Sequence, residues 1–173
     1  ALIDRVRYLA TQARQPVPWY EHTEVGHNFR LGNLNAAVGR GQLQTLPQRI
    51  AQRAEVRAGY ERCFADAPGV RFQEIVDGCR PNHWLTTVEF DPNEFGASAA
   101  DVLVALRDEG IEARPGFKPM HLQPVFAGTQ FVSAGGEAVS ARHFERGVSL
   151  PSSGFLSSDH VQWIARTALS ARR

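Results

Sequence analysis

The chain has 173 residues, of which 43% are hydrophobic and 21% are charged, and its formal net charge at pH 7 is +1. This composition is typical of a globular protein, and the small net charge gives no reason to expect nucleic acid or a membrane as a partner. Cys63 and Cys79 form neither a disulfide framework nor a metal-ligand spacing, and no apolar run approaches the roughly 20 residues of a membrane span. We therefore expect a cytoplasmic protein with no metal site.

The first part of the chain is predicted to be helix, loop and helix. The stretch "ALIDRVRYLATQAR" has helical periodicity with no N-cap residue ahead of it, which predicts a fragment or a processed start. The proline-punctuated "QPVPWYEHTEVGHN" predicts a loop. The stretch "NLNAAVGRGQLQTL" predicts a helix that Asn33 caps, and its small residues would let another backbone approach closely.

A second, longer helix is predicted from Pro47, a residue that suits a first helical turn. Its buried side is expected to carry three residues: Ile50, Tyr60 and Phe64. Three arginines form a stripe along the same helix: Arg49, Arg53 and Arg57. Such a stripe is more often a solvated face than a phosphate site, and the sequence favours the solvated face.

From Pro68 the pattern changes to that of a small α+β domain. The stretches "VRFQEI", "HWLTTVEF" and "IEARP" predict strands, and "SAADVLVALRDEG" predicts an amphipathic helix that ends at Gly110. A helix at residues 137–146 stopped by Gly147, a strand and turn in "VSLPSSG" and a serine-capped helix in "SSDHVQWIARTAL" complete the chain. The irregular segment 116–136 is unusually long for a compact domain, and such segments are often functional.

Two segments carry groups suited to binding. In "EVGHNFRLGNLNAAVGRGQL", Asn28 and Arg30 offer amide and guanidinium donors to an anion such as phosphate, although an asparagine turn with a capping arginine fits equally well. The stretch "RPGFKPMHLQPVF" contains the only lysine of the chain, Lys118, together with further polar groups and two phenylalanines. That combination suits a diphosphate and a flat ring, and it also suits a plain surface loop.

Taken in order, several motifs resemble the C-terminal half of the DegT/StrS-type nucleotide-sugar aminotransferases, which are PLP-dependent enzymes of fold type I. The motifs are "ATQAR" with "PWYEH", "GHNFRLGNLNAAVGRGQL", "HWLTTVEF", "IEARPGFKPMHLQPVF" and "HFERGVSLPSSGFLSSDHV". The resemblance implies an α/β fold with interface helices and a small α+β domain with a short sheet, lacking the large PLP-binding domain. It divides the chain into three parts: the end of the large domain with the dimer-interface loop and first interface helix (1–46), a long connecting helix (47–67) and the small C-terminal domain (68–173).

The same resemblance implies roles for individual residues. Asn28 would reach the PLP phosphate of the neighbouring subunit, and Arg30 would shape that interface as a second cofactor-binding residue. Six residues are expected to contact substrate: Lys118, His121, Phe117, Gln123, Tyr20 and His22. The Schiff-base lysine of the family lies upstream, so no catalytic residue is expected in this chain. The chain departs from the family pattern at Gly116-Phe117, because a Trp or Tyr usually precedes the lysine there, often after a bulky residue or a histidine. The pair found here would leave a smaller wall.

The implied function is that of the C-terminal portion of an aminotransferase that converts a 4-keto-6-deoxy nucleotide sugar to a 4-amino sugar. Glutamate is the expected amino donor, PLP the cofactor, and a cell-surface polysaccharide or glycan the destination; the branch it resembles most uses UDP-4-keto-6-deoxy-N-acetylhexosamines. The expected partner is a second copy of the chain or a complementing N-terminal half. The alternative is a non-catalytic remnant or interaction module, in which the apolar face of helix 33–46 has been adapted to solvent or to another protein.

Overall fold

The computed structural model describes residues 1–17, 21–133, 135 and 138–172. They form two compact units, Ala1–Leu46 and Pro47–Arg173. The helices are α1 (Leu2–Ala10), α2 (Asn33–Cys63), α3 (Pro92–Phe95), α4 (Ala99–Asp108), α5 (Val139–Arg146) and α6 (Ser158–Leu169). The strands are β1 (Val70–Phe72), β2 (Thr86–Phe90), β3 (Arg114–Pro115) and β4 (Gly147–Leu150).

The first unit holds the start of α2 and a loop that pairs with the end of α1. Isolated antiparallel bridges join Thr11 to Asn28 and Arg14 to His22. The backbones approach so closely that a Cβ added at Gly26 would lie 2.3 Å from the nitrogen of Ala13. Only glycine leaves room for this contact, so Gly26 allows the loop backbone around residue 26 to lie against residues 12 and 13.

The predicted break between two helices at Pro47 is wrong, because α2 is one helix of 31 residues with Pro47 inside it. A proline removes one N–H from the helical ladder and crowds the preceding turn, yet it does not end a helix whose other bonds persist. The first turn also lies one residue away from its predicted place. The helix begins at Asn33, and the carbonyl of Gly32 accepts a hydrogen bond from Ala36 at 2.9 Å.

The second unit is built on a four-stranded antiparallel sheet of order β1-β2-β4-β3. Alternate residues of β2, Thr86, Val88 and Phe90, are buried on one face of the sheet. This face packs against α2, α4 and α6 in one hydrophobic core. The largest fully buried side chains include Tyr60 and Phe90, so the predicted burial of Tyr60 is confirmed; Phe64 is also buried, whereas Ile50 is half-buried.

The opposite face of the sheet is covered by α5. His143 of α5 lies 2.8 Å from a carboxylate oxygen of Glu89, which alternates with the core residues of β2. The backbone of α5 also lies close to the loop that follows β3. A Cβ added at Gly116 would be 2.6 Å from the carbonyl oxygen of His143. With helices on both faces, β4 is buried along its whole length.

Most predicted elements of the second unit are confirmed. Ser157 caps α6 through its side chain, as predicted, and Ser98 caps α4 in the same way. The short helix α3 was not predicted. The described part of segment 116–136 contains two 3-10 turns, Met120–Leu122 and Pro124–Phe126. Within the described residues, no helix combines the length and the apolar character needed to cross a membrane.

Candidate functional site

The predicted site residues fall into both units. The first unit holds His22, Asn28 and Arg30, and the second holds Phe117, Lys118, His121 and Gln123. Tyr20 lies outside the described residues.

Asn28 and Arg30 lie on an exposed segment whose backbone is fixed by hydrogen bonds. The N–H groups on either side of Asn28 donate to the end of α1, from His27 to Leu9 at 2.8 Å and from Phe29 to Ala10 at 3.1 Å. Neither the Asn28 amide nor the Arg30 guanidinium has a hydrogen-bond partner within the described part of the chain. A fixed backbone with free donors is the arrangement that a phosphate clamp requires.

His22 is oriented by the same loop. Its Nδ1 lies 2.7 Å from the carbonyl oxygen of Gln12, and a carbonyl can only accept. Nδ1 therefore carries the proton of this hydrogen bond, and Nε2 is the ring nitrogen without a described partner. The bridge between Arg14 and His22 fixes the backbone of residue 22.

Lys118 lies exposed on the loop that leads to the 3-10 turns. Its carbonyl accepts a hydrogen bond from the Gln123 side chain at 3.4 Å, and the next turn is closed by the N–H of Leu122 donating to Pro119 at 3.0 Å. The lysine amine has no hydrogen bond or ion pair with a described residue. A Schiff-base lysine must lose its charge, which burial promotes, so the exposed Lys118 is better suited to hold an anion than to form a Schiff base.

His121 is engaged by an aromatic neighbour. Its ring stacks on Phe131 with centroids 3.9 Å apart and an angle of 25° between the planes. The stack links the start and the later part of the 116–133 loop. A half-buried imidazole held in this way has a defined orientation for a polar ligand.

Phe117 lines a cleft of about 490 Å³. The cleft lies between α2, the start of β2, β3 and the turn after β4. Its lining includes five side chains that the sequence did not point to as substrate contacts: Arg53, Trp84, Arg114, Ser149 and Ser152. Trp84 and Phe117 expose 61% and 72% of their surface there.

The arginine stripe of α2 is not a solvated face. Its three members are half-buried, and two of them lie over aromatic rings: the guanidinium carbon of Arg49 is 4.6 Å from the ring centre of Phe155, and that of Arg57 is 5.6 Å from Phe72. These rings belong to segments remote in sequence. The regular spacing of the arginines was the signal that could have drawn attention to the stripe. That spacing fits a helix face packed against other residues as well as a solvent-exposed face.

The described residues meet part of what a PLP site needs. The free amide of Asn28 and the guanidinium of Arg30 suit the phosphate group of the cofactor. The only lysine of the chain, Lys118, is exposed and is a poor site for covalent attachment of the aldehyde. Of the groups that a PLP site needs, the described residues thus present exposed donors that suit a phosphate, and the single lysine of the sequence is not buried.

Comparison with known proteins gives consistent results. The family model described as "DegT/DnrJ/EryC1/StrS aminotransferase family" matches residues 1–168. The putative pyridoxal phosphate-dependent aminotransferase EpsN of Bacillus subtilis is 39% identical over 160 residues, which are 92% of this chain and 40% of that protein. The UDP-4-amino-4,6-dideoxy-N-acetyl-beta-L-altrosamine transaminase of Helicobacter pylori is 27% identical over 86% of this chain and 39% of its own length.

Solved structures show the same fold. The crystal structure of a DegT DnrJ EryC1 StrS aminotransferase from Brucella abortus superposes with a TM-score of 0.76 and 25% identity, over 96% of this chain and 42% of that one. The chain thus spans about two fifths of the length of the relatives it matches. The predicted family, the α/β fold of its C-terminal half and the family cofactor are confirmed. The chain belongs to the DegT/DnrJ/EryC1/StrS family of PLP-dependent sugar aminotransferases.

Proposed function

We propose that this chain is the C-terminal portion of an aminotransferase that converts a 4-keto-6-deoxy nucleotide sugar to the 4-amino sugar, with glutamate as amino donor. The observation that carries the proposal is the family match over residues 1–168. The substrate class is supported by the H. pylori relative, whose name specifies a UDP-linked 4-amino-4,6-dideoxy sugar. Cell-surface polysaccharide or glycan synthesis is the proposed destination of the product.

The chain would act in two places of the intact enzyme. Asn28 would donate its amide to the phosphate of the cofactor bound by a neighbouring subunit, and Arg30 would support that contact. Phe117, Lys118, His121 and Gln123 would bind the nucleotide sugar, with the lysine as the cation for the diphosphate. Bound PLP supplies the electron sink for transamination, and the protein supplies binding and orientation.

The proposed partner is the large domain of this family, supplied by the rest of a longer chain or by a separate N-terminal half, within a homodimer. Apolar side chains in the first unit support it. Leu34 and Val38 lie four residues apart on one face of α2 and expose 84% and 63% of their surface. On α1, Leu2, Ile3 and Val6 are also exposed on one face. A non-catalytic interaction module would expose the same residues, so activity decides between the two.

The test is co-expression of the 173-residue chain with the N-terminal part of EpsN, the relative it resembles at 39% identity. The purified complex is expected to bind PLP and to lose the PLP absorbance band when glutamate is added. A UDP-linked 4-keto-6-deoxy sugar should then restore the band. A stable complex that binds PLP and responds to neither glutamate nor keto sugar would contradict the proposed activity and favour the interaction module.

The role of Asn28 is tested in the same complex. Asn28→Ala is expected to weaken PLP retention about tenfold to a hundredfold, because a hydrogen bond to a charged group contributes about 1.5–3 kcal/mol. The matched control is Asn35→Ala, which removes an exposed amide from α2 in the same unit. Equal PLP affinity in the two variants would refute the phosphate role.

The single lysine allows a separate check of the missing covalent anchor. The chain alone is incubated with an equimolar amount of PLP, reduced with borohydride and mapped by mass spectrometry. We expect no stoichiometric phosphopyridoxyl adduct on Lys118. A stoichiometric adduct there, lost in Lys118→Arg, would show that this loop holds a reactive amine.

A further inference from the structure

We infer that Arg53 is an anion-binding residue of the cleft beside Phe117, and that Trp84 and Phe117 bind the flat ring attached to that anion. The ligand chemistry is that of a nucleoside diphosphate. This inference deepens the proposed function, since it assigns the nucleotide part of the substrate to Phe117 of the 116–136 loop together with Arg53 and Trp84, which lie outside that loop.

The first observation is that Arg53 differs from the other two arginines of its stripe. Arg49 lies over Phe155. Arg57 pairs with Glu61 at 2.8 Å and donates to the carbonyl of Gln73 at 2.7 Å. Arg53 is half-buried as they are, yet its guanidinium has no ion pair, hydrogen bond or ring contact within the described part of the chain.

The second observation is the charge balance of the cleft. Among its lining residues, three carry a formal charge: Arg53, Glu112 and Arg114. Arg114 and Glu112 pair with each other at 2.7 Å, and both side chains are 78% exposed at the rim. Arg53 is thus the uncompensated charge of the cleft. A partly desolvated cation without a counterion is stabilised when an anion binds beside it.

The third observation is that the wall beside Arg53 is built rigidly. The Ser152 hydroxyl accepts from the backbone N–H of Thr86 at 2.7 Å and donates to the carbonyl of Leu150 at 2.7 Å. The following turn packs on α2 so tightly that a Cβ at Gly154 would lie 2.9 Å from the Cβ of Gln52. A preformed wall next to a free guanidinium favours binding, because little has to be ordered when the ligand arrives.

The aromatic side chains define the rest of the ligand. Trp84 and Phe117 are largely exposed although both line the cleft. The backbone N–H of Trp84 donates to the Asn82 side chain at 3.0 Å, and the preceding His83 has a positive φ of 49°, so the local turn fixes the backbone from which the indole extends. Exposed rings beside a cation suit a planar base joined to phosphate.

The experiment measures the binding of UDP to the purified chain by calorimetry and by quenching of tryptophan fluorescence, both at fixed ionic strength. Inorganic pyrophosphate is titrated in parallel. Arg53→Gln is expected to weaken both ligands at least tenfold, because charge-assisted hydrogen bonds to phosphate are lost. Trp84→Ala is expected to weaken UDP and to leave pyrophosphate unchanged, since the indole contacts the base alone.

The matched control is Arg62→Gln, which removes an arginine from the same helix outside this cleft, where it pairs with Glu55 at 2.9 Å. Circular dichroism melting checks that all variants fold. The inference is overturned if UDP binds no more tightly than 10 mM, or if Arg53→Gln binds as the control does. These outcomes are distinct from failure of the proposed function, in which UDP binding depends on Arg53 but the reconstituted complex does not respond to glutamate.

Discussion

Tyr60→Phe removes one hydroxyl from the core of the second unit and tests how that core is tied to the cleft. Tyr60 is fully buried on α2, and its hydroxyl donates to the carbonyl of Pro151 at 2.9 Å. Pro151 begins the turn that lines the cleft. The substitution keeps the ring and its packing, so the change in the free energy of unfolding reports the hydrogen bond alone.

At neutral pH the expected loss of stability is about 1 kcal/mol, the usual net contribution of a neutral hydrogen bond. The loss corresponds to a decrease in Tm of roughly 3 °C for a chain of this size. A larger loss, near 3 kcal/mol, would instead indicate that the Pro151 carbonyl is left unsatisfied and that the turn rearranges.

The difference in the free energy of unfolding between the wild type and Tyr60→Phe should also change sign with pH. Burial, with a smaller effect from nearby Cys63, raises the pKa of the Tyr60 phenol well above its ordinary value. Above pH 10 or so the unfolded chain loses this proton and the folded chain keeps it, so the wild type loses up to about 1.4 kcal/mol per pH unit relative to the variant. The two stabilities should cross at roughly pH 10.6, and the variant should be the more stable above it.

Urea unfolding followed by far-UV circular dichroism between pH 7 and 11.5 measures both effects. Other groups that ionise in this range are shared by the two proteins, and their contributions cancel in the difference. A difference in stability that stays constant from pH 9 to pH 11.5 would refute the reasoning, because it would mean that Tyr60 ionises as easily in the folded state as in the unfolded one.

Two further predictions concern the packing of α5 and the loss of stability at acid pH. Gly116→Ala should destabilise the chain by about 1–3 kcal/mol, because its Cβ would overlap a backbone carbonyl of α5; Gly41→Ala, with nothing within 4 Å, is the control and should not destabilise it in thermal melts. The backbone N–H of Asn93, assisted by Arg146, lowers the pKa of Asp91. The resulting stability is present above about pH 4 and is lost as pH falls through the lowered pKa. Asp91→Asn should therefore be less stable than the wild type at pH 7, and its stability should decrease less between pH 5 and pH 2. Thermal melts in which the variant and the wild type lose equal stability over that range would contradict this.

The sequence was most informative where short-range chemistry determines an element. The serines that cap α4 and α6 make their hydrogen bonds within three residues, and Gly110 and Gly147 lie at predicted helix ends. The prediction of a break at Pro47 failed because proline is common at helix starts and only disfavoured inside helices. Local preference could not show that α2 continues on both sides of it.

The candidate site was less predictable, because its members come from distant parts of the chain. Phe117 lies on the loop that the sequence singled out, whereas Arg53 and Trp84 reach the same cleft from α2 and from the approach to β2. The rings over Arg49 and Arg57 lie 106 and 15 residues away in sequence, at Phe155 and Phe72. Helical spacing alone therefore could not tell the free guanidinium of Arg53 from its packed neighbours.

The packing around Gly116 explains why a glycine occupies this position of the family motif. Compared with the family motif, the Gly116-Phe117 pair implied a smaller wall. In the structure Gly116 is buried, its N–H donates to the carbonyl of Gly147 at 2.8 Å, and the close backbone of α5 leaves no room for a side chain. Residue 116 is thus constrained by α5. Under the proposed function, substrate preference should instead respond to Phe117, Trp84 and Arg53, which line the cleft.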